Sequence, residues 1–258
     1  VTDSLFDSEL KFMITRVSRN KAIERLRSSL DVSAASKQGE VVNIVYKGSN
    51  IKRNEAIVNT LIEVLKEDQV ADKREISEVS INFIEDNQLK PTLLLNTHCH
   101  LDHVFGNNFV SETYQLAAHF HANEQVVIDR LPEASAKWGV VTEAYKGPVK
   151  YLQQNEIIQF GKDEFICLFT PGHSPGSLCF YHEQQNFIIG GDLVFMDGVG
   201  RTDLPGCNPS DLIQSIRKEI IPLKDDLVIY SGHGPATSLG REKLHNPYIQ
   251  HILKSMTS

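Results

Sequence analysis

The sequence predicts a mixed α/β (α+β) fold, and three observations predict it. From Pro91 onward, short apolar runs rich in β-branched and aromatic residues are divided by Gly, Pro and Asp, the grammar of strands joined by tight loops. Patterns with helical spacing are interleaved among those runs. Several of the runs end on a polar residue beside a glycine, as in Gly172-His173, Gly191-Asp192 and Gly232-His233. Strand ends of that kind are where a scaffold aims side chains at one point.

The elements follow in chain order. "DSELKFMITRVSRNKAIERLRSSL" has apolar residues at helical spacing and predicts a helix ending near Leu30. "EVVNIVYKG" (Glu40–Gly48) is β-rich and predicts a strand. The next stretch, through "FIED", predicts a long amphipathic helix or a pair of helices. Ile57, Leu61, Val64 and Leu65 form its first apolar stripe, and Ile76, Val79 and Ile84 a looser one. After Pro91, "TLLLN" predicts a short buried strand and "VFGNNFVSETYQ" a helix. "EIIQFG", "EFICLFT", "SLCFYHE", "NFIIGG" and "DLVIYSG" predict strands, and "PSDLIQSIRKEI" and "NPYIQHILKS" predict helices.

Composition divides the chain at the same place. All ten histidines lie at or after His98, as do all four cysteines and the single tryptophan, Trp138. Residues 1–85 hold 13 Lys+Arg and 14 Asp+Glu, while the rest holds 13 and 19. The first segment therefore reads as a packing surface without chemistry, and residues 86–258 as the domain that carries it. The net charge of −7 argues against a nucleic-acid or anionic-membrane surface. No apolar run is long enough to span a bilayer, and no basic-then-apolar start marks a signal peptide. Cys99, Cys167, Cys179 and Cys207 show no CxxC spacing, so reduced thiols and a cytoplasmic setting are expected.

Chemistry concentrates in "THCHLDH", Thr97 to His103. On an extended segment His98 and His100 project to one side, so both can reach one cation. Asp102 continues that series and His103 steps out of phase, which offers donors to a neighbouring cation. Imidazole nitrogen and carboxylate oxygen suit zinc. A lone HxH is a weak signal, whereas HxHxDH directly after an apolar strand is specific. Completing two shells requires distant partners, for which His173 in "TPGHSPGS", Asp192 in "IGGDLVF" and His233 in "YSGHGPAT" are the candidates. Asp192 can bridge two cations, and such a pair activates water for hydrolysis of acyl or phosphoryl bonds at neutral pH. Cys99, between two histidines, points away and is expected in the core. His119 and His121 form a second HxH without an acid, read as strand filler and pocket wall. His182, His245 and His251 are expected at the surface, and Arg201 and Asp203 as an ion pair behind the site.

"THCHLDH", "GHSPGS", "GGDLVF", "GRTDLPG" and "GHGPAT…NP" resemble the motifs of the metallo-β-lactamase superfamily, and within it the short glyoxalase II-like hydrolases of the hydroxyacylglutathione hydrolase type. The likeness covers about Asn87 to the C-terminus. It implies an αββα sandwich with two divalent metal ions at its edge, zinc foremost, with iron or manganese as alternatives. His98, His100 and His173 would hold the first ion, Asp102, His103 and His233 the second, and Asp192 would bridge. Asp102 and Asp192 would be the catalytic residues, and a small-molecule thioester such as S-lactoylglutathione the substrate. Residues 1–85 resemble a fragment of the extracytoplasmic region of exopolysaccharide chain-length-determinant proteins and tyrosine autokinases, a helix–strand–long helix segment.

Hydrolases of that type begin with several strands and an Asp-Pro-Gly turn, absent here. The resemblance therefore implies a sandwich short of its first strands, with exposed sheet edges, weak metal binding and low activity, or rescue as a homo-oligomer. Alternative readings are a lactonase, a mononuclear iron persulfide dioxygenase sharing the "GRTD" loop, and a non-catalytic chimeric assembly protein.

Overall fold

The computed structural model of the chain describes residues 18–34, 42–64, 83–84, 86–137 and 142–256. It divides into two units, Val1–Leu89 and Lys90–Ser258. In the first unit, helix α1 spans Arg19–Ser28, and the Ser18 hydroxyl accepts from Lys21 N–H as its N-cap. Strand β1 (Leu30–Ala34) pairs antiparallel with β2 (Val42–Tyr46), from Leu30↔Tyr46 to Ala34↔Val42. Helix α2 occupies residues 51–64 and is capped by Asn50, whose Oδ1 accepts from Arg53 N–H at 3.0 Å.

One expectation is corrected here. The first helix stops at Ser28, near its expected end, but Leu30 opens a strand that the sequence reading did not include. Among the described residues the order is therefore helix, hairpin, helix rather than helix, strand, helix. The reason is local: after Ser28-Ser29 the 3.6-residue stripe gives way to "LDVSA", which alternates apolar and polar residues. The expected helix start before residue 18 and the stripe through Ile76 and Val79 lie outside the described residues.

The second unit holds two sheets. The smaller has strand order β3-β4-β5, from β3 (Leu94–Leu95), β4 (Ala118–His121) and β5 (Val149–Leu152), all parallel. The larger contains β6 (Ile157–Phe160), β7 (Asp163–Phe169), β8 (Leu178–His182), β9 (Phe187–Gly191), β12 (Val228–Ser231) and β13 (Thr237–Ser238), in the order β13-β12-β9-β8-β7-β6. Between β9 and β12 the chain forms a small hairpin of β10 (Val194–Phe195) and β11 (Gly198–Val199). Helices α3 (Leu101–Val104), α4 (Asn107–Tyr114), α5 (Gln125–Asp129) and α6 (Leu131–Lys137) accompany the smaller sheet. Helix α7 (Pro209–Ser215) continues as a π turn through Ile220, and α8 (Leu239–His245) and α9 (Pro247–Met256) close the unit.

The layers follow from alternation along the strands. In β8, Leu178 and Phe180 face a core shared with Leu152 and Leu95 of the smaller sheet, while Cys179 and Tyr181 face the other way. That opposite core takes Leu212 and Ile216 of the α7 stretch, Leu239 of α8, and Ile249 and Ile252 of α9. On the outside of the smaller sheet, Ala118 and Phe120 pack with Val104, Ile128 and Leu131. The result is helix, sheet, sheet, helix: an αββα sandwich. Strands buried on both faces read as continuous apolar runs, which is why "SLCFYHE" was legible as a strand without strict alternation.

Candidate metal centre

His98, His173, Asp192 and His233 follow the C-terminal ends of β3, β7, β9 and β12. β9 and β12 are parallel, and β7 runs antiparallel to β8 as β8 does to β9, so β7, β9 and β12 end on one side. The turns there demand glycine in two places. Gly191, just before Asp192, has φ +49°, in the left-handed region. Gly232 passes so close to the Asp192 carboxylate and the His103 ring that a Cβ would collide with both.

The structure brings all seven sequence-predicted residues together. His100 Nδ1 lies 2.9 Å from His173 Nε2. His98 stacks obliquely over His103 with ring centroids 4.0 Å apart. Asp102 Oδ2 lies 3.0 Å from His233 Nε2 and 3.6 Å from His103 Nε2. Asp192 stands between the groups: Oδ1 is 3.4 Å from His103 Nε2, and Oδ2 is 3.5 Å from Nε2 of both His173 and His233. Three sets of donors each fall within 4.8 Å of one another: His98/His100/His173, His98/His103/Asp192 and Asp102/His103/His233.

The donor atoms also test whether cations fit. Nε2 of His98, Nε2 of His103 and Oδ1 of Asp192 are buried without a hydrogen bond. Orphaned polar atoms cost free energy unless something takes their lone pairs. Here three such atoms belong to metal-ligand residue types in overlapping donor sets. Burial, then the neighbouring imidazoles, push His98 well below the ordinary histidine value, and burial and His173 bring His100 down to about 4. Both are thus neutral, as a ligand imidazole must be. Burial alone would raise the Asp102 carboxyl, but the His233 hydrogen bond and nearby His103 hold it below the usual carboxylate range.

A supporting layer fixes these groups. His173 Nδ1 donates to the Arg201 carbonyl at 2.9 Å, which leaves Nε2 facing Asp192. The Arg201 guanidinium pairs bidentately with Asp203 at 2.7 Å, as expected for those two. Asn96 and Asn107, both buried, exchange amide hydrogen bonds beneath the histidine loop, and Asn96 also donates to the His103 carbonyl.

Three acids or histidines stand differently from what residue type alone suggested. Glu124, fully buried, accepts from Cys99 N–H, Ser174 Oγ and Gly176 N–H. Glu242, fully buried, accepts from Asp197 N–H, Thr237 Oγ1, Arg241 and Asn246 Nδ2. Neither carries a spacing signal in the sequence. His182, expected at the surface, is buried instead: its Nε2 meets Asp163 Oδ1 at 3.1 Å and its ring stacks on Phe187. It lies on β8, where both faces are covered. His245 and His251 are exposed, and Cys99 is in the core, as the sequence indicated. His119 and His121 lie on β4. His119 bonds backbone carbonyls, and His121 stacks on Phe169.

The chain matches the model of the metallo-beta-lactamase superfamily over residues 59–233. It is 34% identical to the hydroxyacylglutathione hydrolase GloC of Haemophilus influenzae, over 66% of this chain and 81% of that protein. It is 33% identical to the probable metallo-hydrolase YqgX of Bacillus subtilis, over 65% of this chain and 80% of that one. Among solved structures, TTHA1623 in a di-iron-bound form superposes with a TM-score of 0.62 at 32% identity, covering 67% of this chain and 84% of that one. None of these matches supports the likeness of residues 1–85 to a chain-length-determinant region. The superfamily match begins inside that segment.

Proposed function

The chain belongs to the metallo-beta-lactamase superfamily, and from that premise we propose that it is a dinuclear metal-dependent hydrolase of thioesters of the S-acylglutathione type. The observation that carries this reading is the set of three buried donor atoms without a hydrogen bond on His98, His103 and Asp192. His98, His100 and His173 would hold one ion and Asp102, His103 and His233 the other, with Asp192 offering an oxygen to each. Bound divalent ions would supply Lewis acidity for the carbonyl and for a water molecule. Asp102, ionised and open to solvent on one side, accepts from His233 and has a second oxygen with which to orient a water. Thiolate is a good leaving group, so no strong general acid is needed. Arg201 holds His173 through its backbone carbonyl and so fixes the ring that faces Asp192.

The 34% identity to a protein named hydroxyacylglutathione hydrolase supports thioesters as the substrate class. Zinc is the proposed metal on donor chemistry, while the di-iron relative makes iron the competing choice. The test is S-lactoylglutathione hydrolysis by the full chain, reconstituted separately with zinc and iron. Turnover with two ions per chain supports the reading. Sulfite production from glutathione persulfide with one iron bound would replace it with the dioxygenase reading. Reconstituted protein that binds no metal would remove both.

A further inference from the structure

Glu124 ends a short 3₁₀ turn after β4, away from every motif that identifies the site. Its carboxylate is nevertheless shared between the two loops that carry the first ligand set. Oε2 accepts from Cys99 N–H at 2.6 Å, between His98 and His100. Oε1 accepts from Gly176 N–H at 2.6 Å and from Ser174 Oγ at 2.5 Å, just after His173. Position 176 is shaped for this approach: a Cβ there would come within 2.8 Å of Glu124 Cγ and of its backbone nitrogen.

We propose that Glu124 is a positioning residue that clamps the His98/His100 loop to the His173 loop, so that three imidazoles from two loops close on one ion. This rests on the two-metal reading above. The chemistry explains why the residue is an acid. Three donors converge on it, and a carboxylate is an acceptor at every lone pair. An amide of the same length would turn an N–H toward one of those donors and leave a buried backbone N–H unsatisfied. Charge-assisted bonds are also shorter and stiffer than neutral ones, which suits a part that sets distances between loops. The second ligand set depends on it less. Asp102 and His103 stand on the α3 turn and His233 beyond β12, and none of the three accepts from or donates to Glu124.

The experiment is cobalt(II) titration of the full chain, followed by its visible spectrum, for the wild type, Glu124→Gln and Ser174→Ala. His100→Ala marks which dissociation constant belongs to the first set. The expected result is two ions in the wild type and, in Glu124→Gln, a first-set constant raised by about tenfold or more with the second unchanged. Ser174→Ala, which removes one donor of the three, should shift the same constant in the same direction by less. It decides the matter should Glu124→Gln fail to fold. Both constants unchanged, or both raised together in step with lost stability, would overturn the proposal. A wild type that takes up no cobalt would instead show that the two-metal reading itself had failed, and this inference with it.

Discussion

Asp102 and His233 meet across the site, carboxylate oxygen to Nε2, at 3.0 Å. They come from loops on different sheets, one following β3 and the other β12. Like His100 with His173, the pair joins the smaller and larger sheets through site side chains, and both of its residues remain partly open to solvent. The Asp192 side chain, only 9% exposed, lies behind it. The site thus has a buried end at His98 and an open end at His233, with carboxylates between.

Asp192→Asn and Asp102→Ala should each lower S-lactoylglutathione hydrolysis by at least about a hundredfold, since each removes a carboxylate from the shared donor set. Steady-state kinetics, with metal content measured on the same samples, checks this. Asp192→Asn should also lose bound metal. Equal rates in wild type and both variants would assign the activity to a contaminant.

Metal-free protein should lose stability on acidification. Burial and His173 bring His100 to about 4, from an unfolded value near 6.5. The unfolded chain therefore binds the proton more tightly. The contribution to stability is full above pH 6.5 and is lost as the pH falls from 6.5 toward 4. His98 shifts in the same direction. A shift of this size corresponds to about 3 kcal/mol from His100. Urea unfolding of chelator-treated protein between pH 7 and 4 measures it, and a constant midpoint across that range would contradict it.

Glu242→Ala should destabilise the second unit by about 3 kcal/mol, because it strands the buried Thr237 Oγ1 and Asn246 Nδ2 and also releases the Asp197 N–H. Asn246 would also lose the partner that aligns it with the Gly198 carbonyl. Denaturant unfolding reports the loss. A change below about 1 kcal/mol would mean that water replaces the carboxylate.

Thiol labelling should be selective. Burial pushes Cys167 and Cys179 up to about 12, and Cys99 is fully buried. Cys207 is only partly buried, with its Sγ donating to the His173 carbonyl at 2.8 Å. Native protein should therefore react with a maleimide at Cys207 first, and all four cysteines should react after denaturation. Mass spectrometry of the labelled peptides decides it. Equal labelling of Cys179 would show that the β8 core opens readily.

Much of the second unit was legible because its signals are local. "THCHLDH" places four donors on one turn, and β6, β7, β8, β9 and β12 all stand where apolar runs predicted strands. The misses share a cause: their signals are tertiary. β4 and β5 are short, half-polar segments whose strand state is set by pairing, Ala118↔Val149 through His121↔Leu152. Glu124 and Glu242 look like surface acids in one dimension and become buried acceptors only when distant donors arrive. His182 is buried against expectation because cover on both faces of β8 is a property of the sandwich, not of "FYHE". In the first unit, the missed strand at Leu30–Ala34 shows how easily a hairpin hides behind a helical run that ends two residues earlier.

The order of the proposed ligands along the chain has a consequence for biosynthesis. The first lies at His98 and the last at His233, with the buried support of Glu242 later still. A chain emerging from the ribosome exposes the THCHLDH turn long before β9 and β12 exist to receive it. Until residue 233 has left the exit tunnel, that turn is a set of imidazoles and a carboxylate without its partners, able to pick up stray cations in the wrong geometry. Assembly of the proposed centre therefore has to wait until residue 233 is available to fold.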